Sequence, residues 1–322
     1  MSITITGGIS FSGGVGIVAP PPSTATAGWV GAGGGYTSTV QRITFATDTA
    51  TATVRGPLNR NTNNEAATGD FTYGWFGGGN LGPPTYNGSS IVGRITYATD
   101  TATAATKGPL SLARYTLAAT GTSSYGWFAG GNSGGGGLSR VDRIDFANDT
   151  ATASVRGTLT GTRQRAAGVT DSITYGWFGG GYGPTSAVTS IVDRIIYATD
   201  TATATSRGPL SQARQYLAGT NTSTYGWFGG GDATGPGVAT VDRIDYSNDT
   251  IAASVRGTLS SGRWGLAASG DNTTYGWYIG GNAGPAVSIV DRVTFATDTA
   301  TAGIRGPLAS VTSEMAASSG IQ

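Results

Sequence analysis

Acid–base chemistry has few places to reside in this chain. Glutamate occurs only as Glu65 and Glu314, and histidine and cysteine are absent. A chain without imidazole or thiol holds no disulfide, no thiolate or imidazole metal site, no cysteine nucleophile and no triad that needs a histidine base. What remains is oxygen chemistry. Two carboxylates can work as a general acid and base, a tyrosine hydroxyl can act as nucleophile, and arginines can hold an anionic group, which together would equip a chain to cleave glycosidic bonds. The cations are regimented, however. Arg42, Arg94, Arg143, Arg194, Arg243 and Arg292 stand in one register, Arg55, Lys107, Arg156, Arg207, Arg256 and Arg305 in a second, and Arg114, Arg163, Arg214 and Arg263 in a partial third. Asp48, Asp100, Asp149, Asp200, Asp249 and Asp298 recur as turn formers, and Asp142, Asp193, Asp242 and Asp291 directly precede first-register arginines. Charges that return in every copy of a repeat are expected to be architecture, pairing neighbouring units and capping turns, whereas a site would break the symmetry.

The chain that must position these groups repeats itself. Tyr-Gly-Trp-Phe-Gly-Gly-Gly at 73–79 returns in near-identical form at Tyr125, Tyr175, Tyr225 and Tyr275, with a degenerate first copy around Trp29. Trp29, Trp75, Trp127, Trp177, Trp227 and Trp277 lie 46, 52, 50, 50 and 50 residues apart. Each unit reads as four strands. Within 73–79, Trp75 and Phe76 project from opposite faces, which suits a strand sandwiched between two neighbouring sheets. Residues 92–97 alternate Ile95 and Tyr97 against Arg94 and Thr96, and residues 101–105 alternate small and β-branched side chains. Between them, Ala98-Thr99-Asp100-Thr101 makes a tight turn whose aspartate can accept turn N–H groups. Gly108-Pro109 ends the fourth strand, since proline cannot donate to a ladder. Four antiparallel strands per unit, six times over, predict an all-β six-bladed β-propeller at 28–322, preceded by an arm at 1–27. After the arm the chain opens on a second strand at 28–35, and it stops on an inner strand at 314–320. Pairing of these two is expected to close the ring and remove its sheet edges, which makes the blades of Glu65 and Glu314 neighbours.

Double glycines ending the second strand, an aromatic in the third (Phe45, Tyr97, Phe146, Tyr197, Tyr246, Phe295) and an arginine near the fourth-to-first connection resemble a kelch-type propeller over 28–322. The chain departs from that pattern in placing tryptophan just before the glycines and Ala/Thr in the fourth strand. The wording Val-Asp-Arg-Ile-Asp-Tyr-Ser-Asn-Asp-Thr and Arg-Gly-Pro-Leu-Ser, together with the glycine block and the opening Ser-Ile-Thr-Ile-Thr-Gly-Gly-Ile-Ser-Phe-Ser-Gly-Gly, resembles structural proteins of tailed phages of marine bacteria and cyanobacteria. That resemblance implies a virion component, on the particle surface or tail.

Among the six copies the turns between third and fourth strands are nearly uniform, whereas the segments after the glycines (36–39, 80–91, 132–140, 182–191, 232–240, 282–289) and the fourth-to-first connections are individual. Both emerge on one face, and loops on a rigid scaffold are where recognition usually sits. The expected binding face carries Tyr86, Arg140, Tyr182, Tyr216 and Trp264, since rigid aromatic area suits sugar faces. In the arm, Ile3, Ile5, Ile9, Phe11, Val15 and Ile17 form apolar stripes of strand length, and Pro20-Pro21-Pro22 spaces them from the ring. The arm is therefore expected to join another chain, a virion protein or a second copy.

These features favour a non-enzymatic phage structural protein, a tail fibre or surface decoration that recognises a host surface glycan or protein, or another virion protein, without cofactor or metal. One alternative is a glycan-cleaving enzyme, because six-bladed propellers include sialidases, and Ser247-Asn248-Asp249-Thr250 resembles their Asp-containing hairpin. That hairpin lacks the glycine and aromatic here, and no arginine trio is singled out by the repeat. A second alternative is a bacterial protein-interaction scaffold. Copper oxidases built on kelch propellers are excluded by the missing histidines and cysteine. With 19 cations against 18 anions the chain has no basic footprint for nucleic acid. No apolar run reaches the roughly 18 residues of a membrane span, no signal peptide is recognisable, and the Asn-X-Ser/Thr sequons read as turns.

Overall fold

The computed structural model describes residues 24–320. The arm positions Ile3, Ile5, Ile9, Phe11, Val15 and Ile17 lie outside the described residues. Six four-stranded antiparallel sheets form the propeller. In the first blade the strands run outward from the axis as Asn63–Gly69, Tyr73–Asn80, Val92–Thr96 and Ala105–Lys107. The inner strands of the second to fifth blades are Ala118–Gly121, Ala167–Thr170, Ala218–Asn221 and Ala267–Gly270. The sixth blade is built from both ends of the chain. Its inner strand Ala316–Ser318 pairs with Ala27–Gly31, placing Trp29 opposite Ser318, so the ring closes as the register requires.

Alternation in the second strand explains the packing between blades. Trp75 faces the following blade and stacks on Phe146 with ring centroids 3.8 Å apart, while Phe76 faces the preceding one. Glycine at 77 is a slot: a Cβ there would lie 2.9 Å from Phe128 of the next blade. Each interface buries one such cluster; that between the first and second blades contains Trp75, Val92, Leu110, Phe128 and Ile144. At about 25 cal/mol per Å² of apolar area, these aromatics dominate the cohesion of the ring.

The regimented charges form one node per interface. Asp100 of the first blade accepts the Trp29 indole N–H at 2.8 Å and pairs with Arg42 at 3.0 Å and Arg55 at 3.4 Å, all three from the sixth blade. The same arrangement gathers Trp75, Arg94 and Lys107 on Asp149, Trp127, Arg143 and Arg156 on Asp200, and so on to Trp277, Arg292 and Arg305 on Asp48. Blade-to-blade pairing was expected, but these aspartates do not cap turns. A 3-10 turn such as Tyr97–Thr99 shapes the connection, and the carboxylate is spent on the neighbouring blade. The stacking aromatic sits in that 3-10 turn, one residue past the third strand. The fourth strand also begins later than alternation suggested, at Ala105 rather than 101, because 101–103 complete the turn. Turn capping falls instead to Asp70, Asp171 and Asp271, whose carboxylates accept backbone N–H groups between first and second strands.

Candidate functional site

The break in symmetry lies at the axis. At or just before the start of each inner strand one residue adopts a left-handed backbone: Asn64, Thr116, Arg165, Tyr216, Gly265 and Glu314, with φ between 54° and 63°. Their backbones form a closed girdle. Asn64 N–H donates to the carbonyl of Glu314, Thr116 to Asn64, Arg165 to Thr116, Tyr216 to Arg165, Gly265 to Tyr216 and Glu314 to Gly265, at 2.6–2.9 Å. Glycine is the unstrained choice for this backbone, and a non-glycine residue here costs about 1–3 kcal/mol. Five of the six blades carry a side chain there nonetheless, and no two of those side chains are alike. Identical geometry thus presents an amide, a hydroxyl, a guanidinium, a phenol and a carboxylate around one opening, with a gap at Gly265.

Arg165 stands three blades from Glu314, so the mouth has a basic side and an acidic one. The Arg165 guanidinium lies 4.7 Å from the Tyr216 ring centre and 5.7 Å from that of Tyr182, and it donates to Gln215 at 3.0 Å. Tyr216 lies 5.2 Å from Trp264. Burial pushes the Tyr216 hydroxyl up to about 12, against the opposing pull of Arg165. Burial also raises Glu314 above the ordinary carboxylate range, partly countered by hydrogen bonds from Asn64 and Asn63, the latter at 2.8 Å, and by Arg165.

Below the rim the walls are apolar except at one place. Leu117, Ala166, Leu217, Leu266 and Met315 line a cavity of about 60 Å³, and Glu65 occupies the equivalent position in the first blade. Its side chain is fully buried and pairs with Arg60 at 2.9 Å. Burial outweighs that cation and lifts the carboxyl to about 7. The surrounding scaffold is altered to match. Four blades hold a buried ion pair between the third-register arginine and the strand aspartate, for instance Arg114–Asp142 at 3.1 Å and Arg263–Asp291 at 2.8 Å. The first and sixth blades lack both partners, carrying Thr62 with Gly93 and Thr312 with Gln41. Gln41 takes over the neutral part of the aspartate's work by accepting the Ala309 N–H.

Of the residues expected on the binding face, Tyr182, Tyr216 and Trp264 gather around Arg165. Tyr86 is separate, 57% exposed on a loop of the first blade with its ring 6.1 Å from Tyr36. Arg140 is bound into its own blade by Ser111 at 2.8 Å and Asp142 at 3.2 Å. Sequence reasoning missed Asn64, Thr116, Arg165 and Gly265. Their signal was a column of six copies in which no residue type repeats. Among the described residues no group of His, Cys, Asp or Glu is arranged to hold a metal, and no helix is long and apolar enough to cross a membrane.

No protein-family model and no curated protein sequence matches the chain. The kelch resemblance therefore reduces to the architecture it implied. Solved structures do match. One, described as "Structure of YjhT", superposes with a TM-score of 0.71 at 12% identity, covering 89% of this chain and 98% of that one. The shared feature is the six-bladed ring, and at this identity the likeness is one of fold. The expectation of a chain without enzymatic activity loses its ground here: the ring is matched over 98% of YjhT, and the mouth brings two carboxyls and a phenol together. The YjhT match carries no link to phage particles.

Proposed function

We propose that this protein is a glycan-cleaving propeller whose site is the axial mouth. The observation that carries the reading is the left-handed girdle, where five blades accept backbone strain to present five different side chains at one opening. Tyr216 is the nucleophile in this reading. Glu314 accepts its proton, Arg165 binds an anionic or polar group of the sugar, and Glu65, protonated over much of the range below about 7 and set beneath the rim, supplies a proton to the leaving oxygen through the cavity water. Trp264 beside the gap at Gly265 offers a stacking surface. A cavity of about 60 Å³ holds water but no sugar ring, since ligand pockets usually span about 300–1,000 Å³. The sugar therefore lies across the rim, with water beneath the reacting bond.

A panel of fluorogenic glycosides, sialosides included, tests this. Turnover by the native chain should fall about a hundredfold or more in Tyr216→Phe and in Glu314→Gln, with unchanged melting temperature. Absence of turnover on every glycoside, or variants as active as the native chain, would overturn it. The wording of the repeats and of the opening segment supports a location on a phage particle, with 1–27 as attachment arm. Detection of the chain in purified virions is the expected result, and its restriction to the soluble lysate would refute that location.

A further inference from the structure

On the face opposite the mouth, five of the six second strands begin with a tyrosine whose ring is covered by an arginine of the third strand. The guanidinium lies 4.0 Å from the ring centre for Arg94 and Tyr73, 4.5 Å for Arg143 and Tyr125, 4.3 Å for Arg194 and Tyr175, 4.3 Å for Arg243 and Tyr225 and 4.1 Å for Arg292 and Tyr275. The same tyrosine meets the edge of its blade's tryptophan, at 5.7 Å for Tyr73 and Trp75. In the sixth blade this position is Ala27. Arg42 has no ring to cover, and its side chain is 29% exposed, more than any equivalent arginine. Trp29 is 6% exposed where its five equivalents, Trp75, Trp127, Trp177, Trp227 and Trp277, are 0–1%. Ala27, Trp29, Arg42 and Tyr97 line a cleft that also includes Thr26 and Ala46; its volume, about 430 Å³, equals that of the cleft beside Tyr125, so the sixth blade differs in the missing ring and not in size.

We propose that this cleft is a docking site for an aromatic side chain, and that its occupant is Phe11 from a second copy of this chain. An arginine face beside an indole edge is the environment that five tyrosines already fill in this molecule, so the ligand it selects is a single aromatic ring. Phe11 is the one aromatic residue before Trp29, and apolar residues at alternate positions flank it. Thr26, at the cleft's edge, is joined to the arm through Pro20-Pro21-Pro22, a sequence that favours a stiff, extended spacer. Exchange of arms between two copies gives each cleft a ring and forms a closed two-fold contact. This inference rests on the arm reading and is independent of the mouth.

The absence of native cysteine makes the test direct. Full-length Ser12→Cys and Ala46→Cys variants, each keeping Phe11 and Ala27, are mixed, oxidised mildly and resolved without reductant. A disulfide-linked pair of chains is expected. Adding Phe11→Ala to the first variant or Ala27→Tyr to the second should lower its yield at least tenfold, while Phe11→Tyr should preserve it. No linked pair, an undiminished pair with Ala27→Tyr, or a disulfide that forms only when both cysteines share one chain would overturn the proposal. Glycoside turnover is expected to be equal in all these variants, so failure here and failure at the mouth are distinguishable.

Discussion

Replacing Glu65 with glutamine will make the protein more stable at pH 8 and leave it nearly unchanged at pH 4.5. The carboxyl titrates at an ordinary 4.5 when unfolded and at about 7 in its buried position, with burial the dominant cause and Arg60 opposing it. The folded state therefore binds this proton more tightly than the unfolded state does. Below pH 4.5 both states hold the proton and nothing is lost. Between 4.5 and about 7 the unfolded state alone releases it, stability falls as pH rises, and above about 7 the loss is complete. At about 1.4 kcal/mol per pH unit, the full loss comes to roughly 3 kcal/mol. Glutamine stays neutral and keeps the shape, so the advantage of the variant should grow from near zero to roughly that value. Urea unfolding of both proteins from pH 4.5 to 8 measures it, with equal m-values confirming a common unfolded reference. A variant that is less stable than the native protein by the same amount at every pH would refute the reasoning. A deficit that instead grew as pH rose would show that the Arg60 pair, at 2.9 Å, is worth more than burial costs the carboxylate.

The interface nodes and the closure make further predictions. Asp200→Ala leaves Arg143, Arg156 and the Trp127 indole without their acceptor and should cost about 3–5 kcal/mol, while Asp200→Asn, which keeps an acceptor for the indole, should cost less by thermal denaturation. Deleting 310–322 removes the inner strand of the sixth blade and bares the edge of Ala27–Gly31, so aggregation in light scattering is expected, whereas deleting 1–19 should leave a single cooperative transition. Equal tolerance of the two deletions would contradict the closure.

Much of the ring was legible because its causes are periodic. Tryptophans about fifty residues apart, alternation around Trp75 and Phe76, and the strand registers at the two ends determine blade number and closure without any structure. The aspartates in the third-to-fourth turns were harder. A tight turn and a 3-10 turn carry the same residues, and only three-dimensional adjacency shows that Asp100 serves Trp29, Arg42 and Arg55. The mouth was the least legible part. Left-handed backbone at Thr116, Arg165, Tyr216 and Glu314 has no signature in residues that usually avoid it, and the girdle's hydrogen bonds join residues far apart in the chain, as in the bond from Asn64 to Glu314. Glu65 did stand out as one of only two glutamates, but its setting among Leu117, Ala166, Leu217, Leu266 and Met315 follows from the fold. The repeat-locked arginines form a pattern visible in the sequence, whereas Arg165, outside those registers, has no counterpart in the other copies to mark it.

The central claim is that the axial mouth is where this protein meets its ligand, and a map of amide chemical shifts tests it most directly. Sialylated and neutral oligosaccharides would be titrated into isotopically labelled Glu314→Gln protein, in which turnover is suppressed. The account predicts saturable shifts at Asn64, Thr116, Arg165, Tyr216 and Gly265, with the turns of the opposite face unmoved. Shifts confined to that opposite face, or none with any sugar, would contradict it.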